Sequence, residues 1–277
     1  MFKNIICLIL LFAYFGATKA QIKIPGDSVI RKEIYSTILN EYREIIIHFP
    51  FNYEKNRTKR YPVMYILDGS SQDQHTTDKI LILSHAEVIP ECIVVGIPNS
   101  RGNRNRDQTP PFMQTETDGS SSVLGQADKF LSFIEMELIP HIDSNFRSSG
   151  YNAISGNSRG GLFVLYTLIV KPQLFKARFC YSTPVWRFND LLINKLQLFL
   201  KTKHRYPNSF LVIAVGGDET ENIKGGNQRM AVILNATNAG WLKWKYFITS
   251  HSDHQTNAFL STPKALAEWG KFLTINQ

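Results

Sequence analysis

Gly156-Asn157-Ser158-Arg159-Gly160 stands between a short β-prone run, Tyr151 to Ser155, and a largely apolar stretch, Leu162 to Val170. A serine with glycine at −2 and +2, at the junction of a strand and a buried helix, has the layout of a nucleophile elbow. Such a turn strains the serine backbone, and the reading requires that a Cβ at either glycine would collide with a neighbouring element. The chemistry open to this serine is attack on a carbonyl carbon. That needs a base to take its proton, a carboxylate to orient the base, and two N–H groups to hold the oxyanion.

In hydrolases built this way the acid and then the histidine follow the serine, each on a loop beyond the carboxyl end of a strand. The run Phe210 to Val215 ends in Gly216-Gly217-Asp218-Glu219, and Trp241 to Ile248 ends in Thr249-Ser250-His251-Ser252-Asp253-His254. His254 is the preferred base over His251, because it lies nearer the final helical segment. Glu219 is preferred as the acid, with its neighbour Asp218 left open. Asp253 is a poor orienting group, since a side chain one residue away seldom reaches the right ring nitrogen. The oxyanion donors are expected to be the N–H groups of Arg159 and Ser70, the latter in the Asp68-Gly69-Ser70-Ser71 turn that Asp68 would hold. The histidines show no zinc-ligand spacing, so neither a metal nor another cofactor is expected.

These residues need a scaffold that brings strand ends together. Glu33 to Leu39 and Tyr42 to Phe51 read as an antiparallel pair. Strands at Pro62 to Leu67, Cys92 to Ile97, Tyr151 to Ser155, Ala177 to Ser182, Phe210 to Val215 and Trp241 to Ile248 then alternate with helical segments. The helices are read at Thr77 to Ala86, Ala127 to Phe146, Gly160 to Val170, Asp190 to Lys201, Asn227 to Ala239 and Pro263 to Leu273. Short, continuously apolar strands separated by helices predict an α/β-hydrolase fold, with a mostly parallel central sheet covered by helices on both faces. The polar stretch Asn99 to Gly125 is too long to be a mere connection, and its Arg104, Arg106 and Asp107 are candidate substrate-binding residues.

The first 20 residues carry a basic start at Lys3, an apolar core from Ile5 to Phe15 and small residues before Gln21, the pattern of a cleaved export signal. Residues 21–277 are then one exported domain, periplasmic or secreted, with no membrane span after cleavage. They hold 29 basic and 23 acidic side chains, a net +6 with no basic helix, which does not suit a nucleic-acid partner. Cys92 and Cys180 lie in apolar runs and read as buried small hydrophobes.

Tyr61-Pro62-Val63-Met64-Tyr65-Ile66-Leu67-Asp68-Gly69 resembles the Tyr-Pro-x-x-Tyr-x-Leu-Asp-Gly strand of the esterase D-like esterases. Val94-Val95-Gly96-Ile97-Pro98-Asn99 and Arg104 to Pro110 are similar to the Gly-Ile-x-Asn and Arg-Asp-x-Thr-Pro segments of their branch near the siderophore esterases. Glu137-Leu138-Ile139-Pro140 resembles the family's helix before the nucleophile strand, and Glu219 and His254 fall where its acid and base lie. The resemblance covers about residues 25–275 and implies a serine carboxylic-ester hydrolase working through an acyl-enzyme on Ser158. The implied substrate is a small-molecule ester, from a siderophore or a sugar-linked acyl or feruloyl group. Asn157 and Arg159 depart from the family pattern, as does Gln255-Thr256 after His254. Arg159 puts a fixed cation beside the nucleophile, which would either attract an anionic group or pair with Glu219 or Asp218 and impair the relay. A binding protein on a hydrolase scaffold and an acyltransferase therefore stay open.

Overall fold

The computed structural model describes residues 29–100, 102–116, 121–202, 206–237 and 239–275. The export signal read at residues 1–20 lies outside them, as do Arg101 and His204. Eight strands form one sheet in the order β1-β2-β4-β3-β5-β6-β7-β8. Strands β1 (Val29–Ser36) and β2 (Glu41–His48) make the antiparallel pair, and β2 also runs antiparallel to β4 (Ile93–Ile97). From β4 onward every pairing is parallel, through β3 (Tyr61–Leu67), β5 (Ser148–Asn157), β6 (Ala177–Tyr181), β7 (Ser209–Gly216) and β8 (Leu242–Thr249).

The strands are apolar on both sides because both sides are covered. In β3, Val63, Tyr65 and Leu67 enter one buried cluster while Met64 and Ile66 enter the other, as alternation of side chains demands. The first cluster takes in helices α5 (Arg159–Val170), α6 (Arg187–Lys201) and α7 (Glu221–Thr237). The second takes in α1 (Gly69–His85) and α8 (Asn257–Ile275), with Trp269 fully buried. Each such side chain contributes roughly 1.5–3 kcal/mol by leaving water. Helix α5 crosses the centre of the sheet and is buried from Gly160 to Leu168, which explains why its sequence has no polar face. Cys92 and Cys180 are both buried and unpaired, and burial pushes both thiols up from their ordinary range.

Three helices begin earlier than the apolar pattern predicts: α1 at Gly69 rather than Thr77, α7 at Glu221 rather than Asn227, and α8 at Asn257 rather than Pro263, which lies inside the helix. The first turns of α1 bury polar side chains, Asp73, Thr76 and Thr77, so hydrophobic periodicity cannot register them. His48 Nε2 lies 2.8 Å from Asp73 Oδ2 and ties the helix to β2. In α8 the turn is set by Asp253, whose Oδ1 accepts the N–H groups of Gln255 and Thr256 at 3.0 and 2.9 Å. The polar stretch after β4 contains a short helix, α2 (Arg104–Gln108), and leads to α3 (Ala127–Phe133), which passes through a π-helical turn at Ile134–Leu138 into α4 (Ile139–Asn145).

Candidate active site

Ser158 sits between the last residue of β5 and the first of α5 with φ 54° and ψ −120°, a conformation that costs a non-glycine residue energy. Its N–H is held by the carbonyl of Tyr181 at 2.8 Å. A Cβ on Gly156 would lie 2.4 Å from the carbonyl carbon of Gly160, so the −2 glycine is required by the turn. The +2 position differs from expectation: a Cβ on Gly160 would come no closer than 3.5 Å to its surroundings. The second forced glycine is Gly161, where a Cβ would sit 2.0 Å from Thr183 Oγ1. Helix α5 abuts the loop after β6 at its third residue.

Strands β7 and β8 bring the other two side chains to the same end of the sheet, the carboxyl end, where α/β folds open their ligand crevices. His254 Nε2 lies 2.9 Å from Ser158 Oγ, and His254 Nδ1 lies 3.1 Å from Glu219 Oε2. Glu219 is buried, and its other oxygen accepts from the Gly216 N–H at 2.9 Å and the Ser182 hydroxyl at 2.5 Å. Ser182 is in turn held by Asn257 Nδ2 at 2.8 Å, and Asn257 also donates to the Ala214 carbonyl. Burial raises the Glu219 pKa, but His254, Ser182 and the Gly216 amide outweigh it, and the carboxyl is held below its ordinary range. Asp218 and His251 are exposed and stand outside this chain of bonds. Asp253 spends its carboxylate on the turn into α8. Ser182 and Asn257 left no signal in the sequence.

Ser70, expected in a loop, lies instead in the first turn of α1, and Arg159 opens α5. First-turn N–H groups have no acceptor four residues back, so both amides are free to face a charge. The start of α1 is pressed against β4, for a Cβ on Gly69 would lie 2.4 Å from the Ile97 nitrogen. Asp68, at φ 56°, accepts from Asn99 Nδ2 at 2.7 Å, from Gln108 Nε2 at 3.0 Å and from Arg104 through both carboxylate oxygens at 2.8 Å. Burial raises its pKa, yet Arg104 and the amides hold it below the usual range. Arg104 also donates to the Asn157 carbonyl at 3.2 Å. The turn before α1, the long loop and the nucleophile turn are thus one bonded unit.

The other charges of the long loop face inward. Asp107 is buried, with one oxygen on Arg43 Nη1 at 2.6 Å and the other on Arg106 Nε at 2.7 Å. Arg106 spends Nη2 on Glu41 at 2.8 Å. Asp107 presents no free group to a ligand, contrary to the substrate-binding role read for it, and Arg106 is committed to the same network. Arg159 does not reach Glu219 or Asp218. Its Nη2 donates to both oxygens of Glu116, at 2.9 and 3.0 Å, and its Nη1 to Thr109 Oγ1 at 2.8 Å.

A cavity of about 360 Å³ opens over Ser158 and His254, and Trp186, Arg187, Asp218 and Asp253 also line it. Among the described residues no group of three or more His, Cys, Asp or Glu side chains is placed to hold a metal ion, and no helix is long and apolar enough to cross a membrane.

A parallel sheet with a strained serine at the end of its central strand, bonded to a histidine and a buried glutamate from later strand ends, defines an α/β hydrolase of the serine type. The pattern of the Esterase family, described as "Putative esterase", matches residues 36–263, and the chain belongs to that family. It is 31% identical over 216 residues to the ferri-bacillibactin esterase BesA of Bacillus subtilis, covering 72% of this chain and 73% of that protein. It is 28% identical over 171 residues to the siderophore triacetylfusarinine C esterase of Aspergillus fumigatus, and the match spans 57% of each protein's length. Among solved structures, an IroE-like serine hydrolase from Shewanella oneidensis superposes with a TM-score of 0.81 at 28% identity, over 88% of this chain and 80% of that one.

Proposed function

We propose that the protein is an exported serine esterase that cleaves a small acyl ester through an acyl-enzyme on Ser158. One observation carries the reading: a serine in a strained turn has its Oγ 2.9 Å from an imidazole whose other nitrogen is 3.1 Å from a buried, fully bonded carboxylate. Ser158 Oγ attacks the ester carbonyl carbon while His254 Nε2 takes its proton. Glu219 fixes the tautomer by accepting from Nδ1–H and stabilises the imidazolium that forms. The N–H groups of Arg159 and Ser70 face the oxyanion. Collapse expels the alcohol, which leaves with the proton from His254. Water, deprotonated by the same histidine, then releases the acid. The siderophore esters named for the bacterial and fungal relatives support a siderophore-type ester as the substrate, and a sugar-linked acyl or feruloyl ester is the competitor. The basic, apolar and small-residue order of residues 1–20 supports export.

The test is hydrolysis of p-nitrophenyl acetate and butyrate by the wild type and Ser158→Ala, with intact-mass detection of a fluorophosphonate adduct. Turnover and adduct are expected in the wild type and absent together in the variant. Folded wild-type protein that neither turns over nor labels would replace the esterase by a binding role.

A further inference from the structure

Glu116 is a heavily engaged carboxylate near Ser158 that the esterase mechanism does not use. Its side chain is 1% exposed, although it lies in a long polar loop. It accepts two hydrogen bonds from Arg159, one at 3.0 Å from Arg187 Nη1 and one at 3.3 Å from Asn105 Nδ2. Arg159 is the residue next to the nucleophile, and Arg187 walls the cavity. One buried anion therefore ties together two cations carried by different elements, α5 and α6, at the edge of the reaction site.

The charge balance gives this arrangement a consequence. Among the described residues Arg104 is matched by Asp68, whereas Arg159 and Arg187 share the single charge of Glu116, so that cluster keeps one net positive charge. Arg159 has its guanidinium turned to Glu116 and Thr109. Among the described residues Arg187 bonds through Nη1, and its Nε is buried without a partner. Asp218 and Asp253 line the same cavity as Arg187. Without Glu116 the wall beside Ser158 would carry two unmatched guanidinium charges, and any anionic group on an ester would be drawn to them.

Resting on Ser158 as the nucleophile, we propose that Glu116 is a specificity-determining residue: by neutralising Arg159 and restraining Arg187, it sets how strongly the site prefers an anionic over a neutral ester. Removing its charge shifts that preference towards anionic esters, and removing Arg187 shifts it the other way. One unit charge within about 8 Å, at an effective dielectric of roughly 30, changes binding by about tenfold.

The experiment compares kcat/KM for p-nitrophenyl butyrate and for mono-p-nitrophenyl succinate in the wild type, Glu116→Gln and Arg187→Met. It is paired with calorimetric binding of succinate to each protein. Glu116→Gln is expected to raise the succinyl-to-butyryl ratio about tenfold through KM, with a parallel gain in succinate affinity that is lost at high salt. Arg187→Met is expected to lower both. A loosened loop would slow both esters alike and leave the ratio where it was. Ratios and affinities that agree within twofold across all three proteins overturn the proposal, and if Glu116→Gln does not fold, an unchanged ratio in Arg187→Met does so alone. If the wild type cleaves neither ester, the nucleophile reading falls, and the succinate affinities still decide the role of Glu116.

Discussion

The two polar networks that adjoin Ser158 are both rich in ionisable groups, yet they are organised in opposite ways. On the β7–β8 side the polar chain runs in a line, Asn257 to Ser182 to Glu219 to His254 to Ser158, and ends on a hydroxyl that faces the cavity. On the long-loop side Arg43, Arg106, Asp107, Arg104, Asp68, Arg159 and Glu116 end on one another. A group at a strand end is held by the sheet and can be aimed at a third party. A charge on a loop that must pack onto a protein finds its counter-ion within the protein, because burying it unpaired costs several kcal/mol. The same residue types thus build a candidate reaction relay on one side and a clamp on the other.

The sharpest break in that comparison is at the end of the line. Ser158→Ala should reduce kcat/KM for p-nitrophenyl butyrate by at least about 10⁴-fold, because attack by Oγ has no substitute. Glu219→Gln should lose roughly 10³-fold in kcat with little change in KM, since the amide cannot hold the imidazole tautomer or stabilise its cation. A loss below tenfold would show that His254 works as a dyad with Ser158.

On the clamp side the expected effect is on stability. Asp107→Asn removes one of the two carboxylates on the buried guanidinium of Arg43, leaving Glu41 at 2.8 Å, and should cost about 2 kcal/mol in urea unfolding, while kcat in the folded fraction changes little. A matching fall in kcat would mean that the clamp also tunes the chemistry.

The smallest effect is in acid. Glu219 in the folded protein titrates below the ordinary range of a glutamate, so in the pH range just under that ordinary value the unfolded chain binds more protons. Its stabilising contribution is full above the unfolded pKa and is lost as pH falls through the folded one. Thermal melting of the wild type should therefore fall with pH below about 4.5, and the Glu219→Gln melting curve should fall less steeply.

Ser158, Glu219 and His254, read separately from the sequence, meet in the structure because each sits just beyond a continuously apolar strand, where the chain must turn at the carboxyl edge of the sheet. Arg106 and Asp107, read as ligand contacts, are bonded instead within the protein, to Glu41 and Arg43 of β2, which are far away in sequence and adjacent only after folding. Glu116 was missed for the same reason, since nothing local distinguishes it from a solvated loop acid. The late starts assigned to α1 and α7 share one cause, polar first turns that apolar spacing does not register, whereas α8 opens on Ala258, Phe259 and Leu260 and carries Pro263 inside the helix.

By itself the sequence determined the alternation of strands and helices, the parallel sheet and the positions of the strand ends, because these follow from local apolar patterning and from residues a few places apart. Only the tertiary structure decided which charges are free. Arg159 is turned from Glu219 by Glu116, Asp107 is claimed by Arg43 and Arg106, and the tight glycine at the helix start is Gly161 because Thr183 lies against it. A charge is satisfied and a Cβ excluded by atoms within a few ångströms, and sequence order does not say which atoms those are.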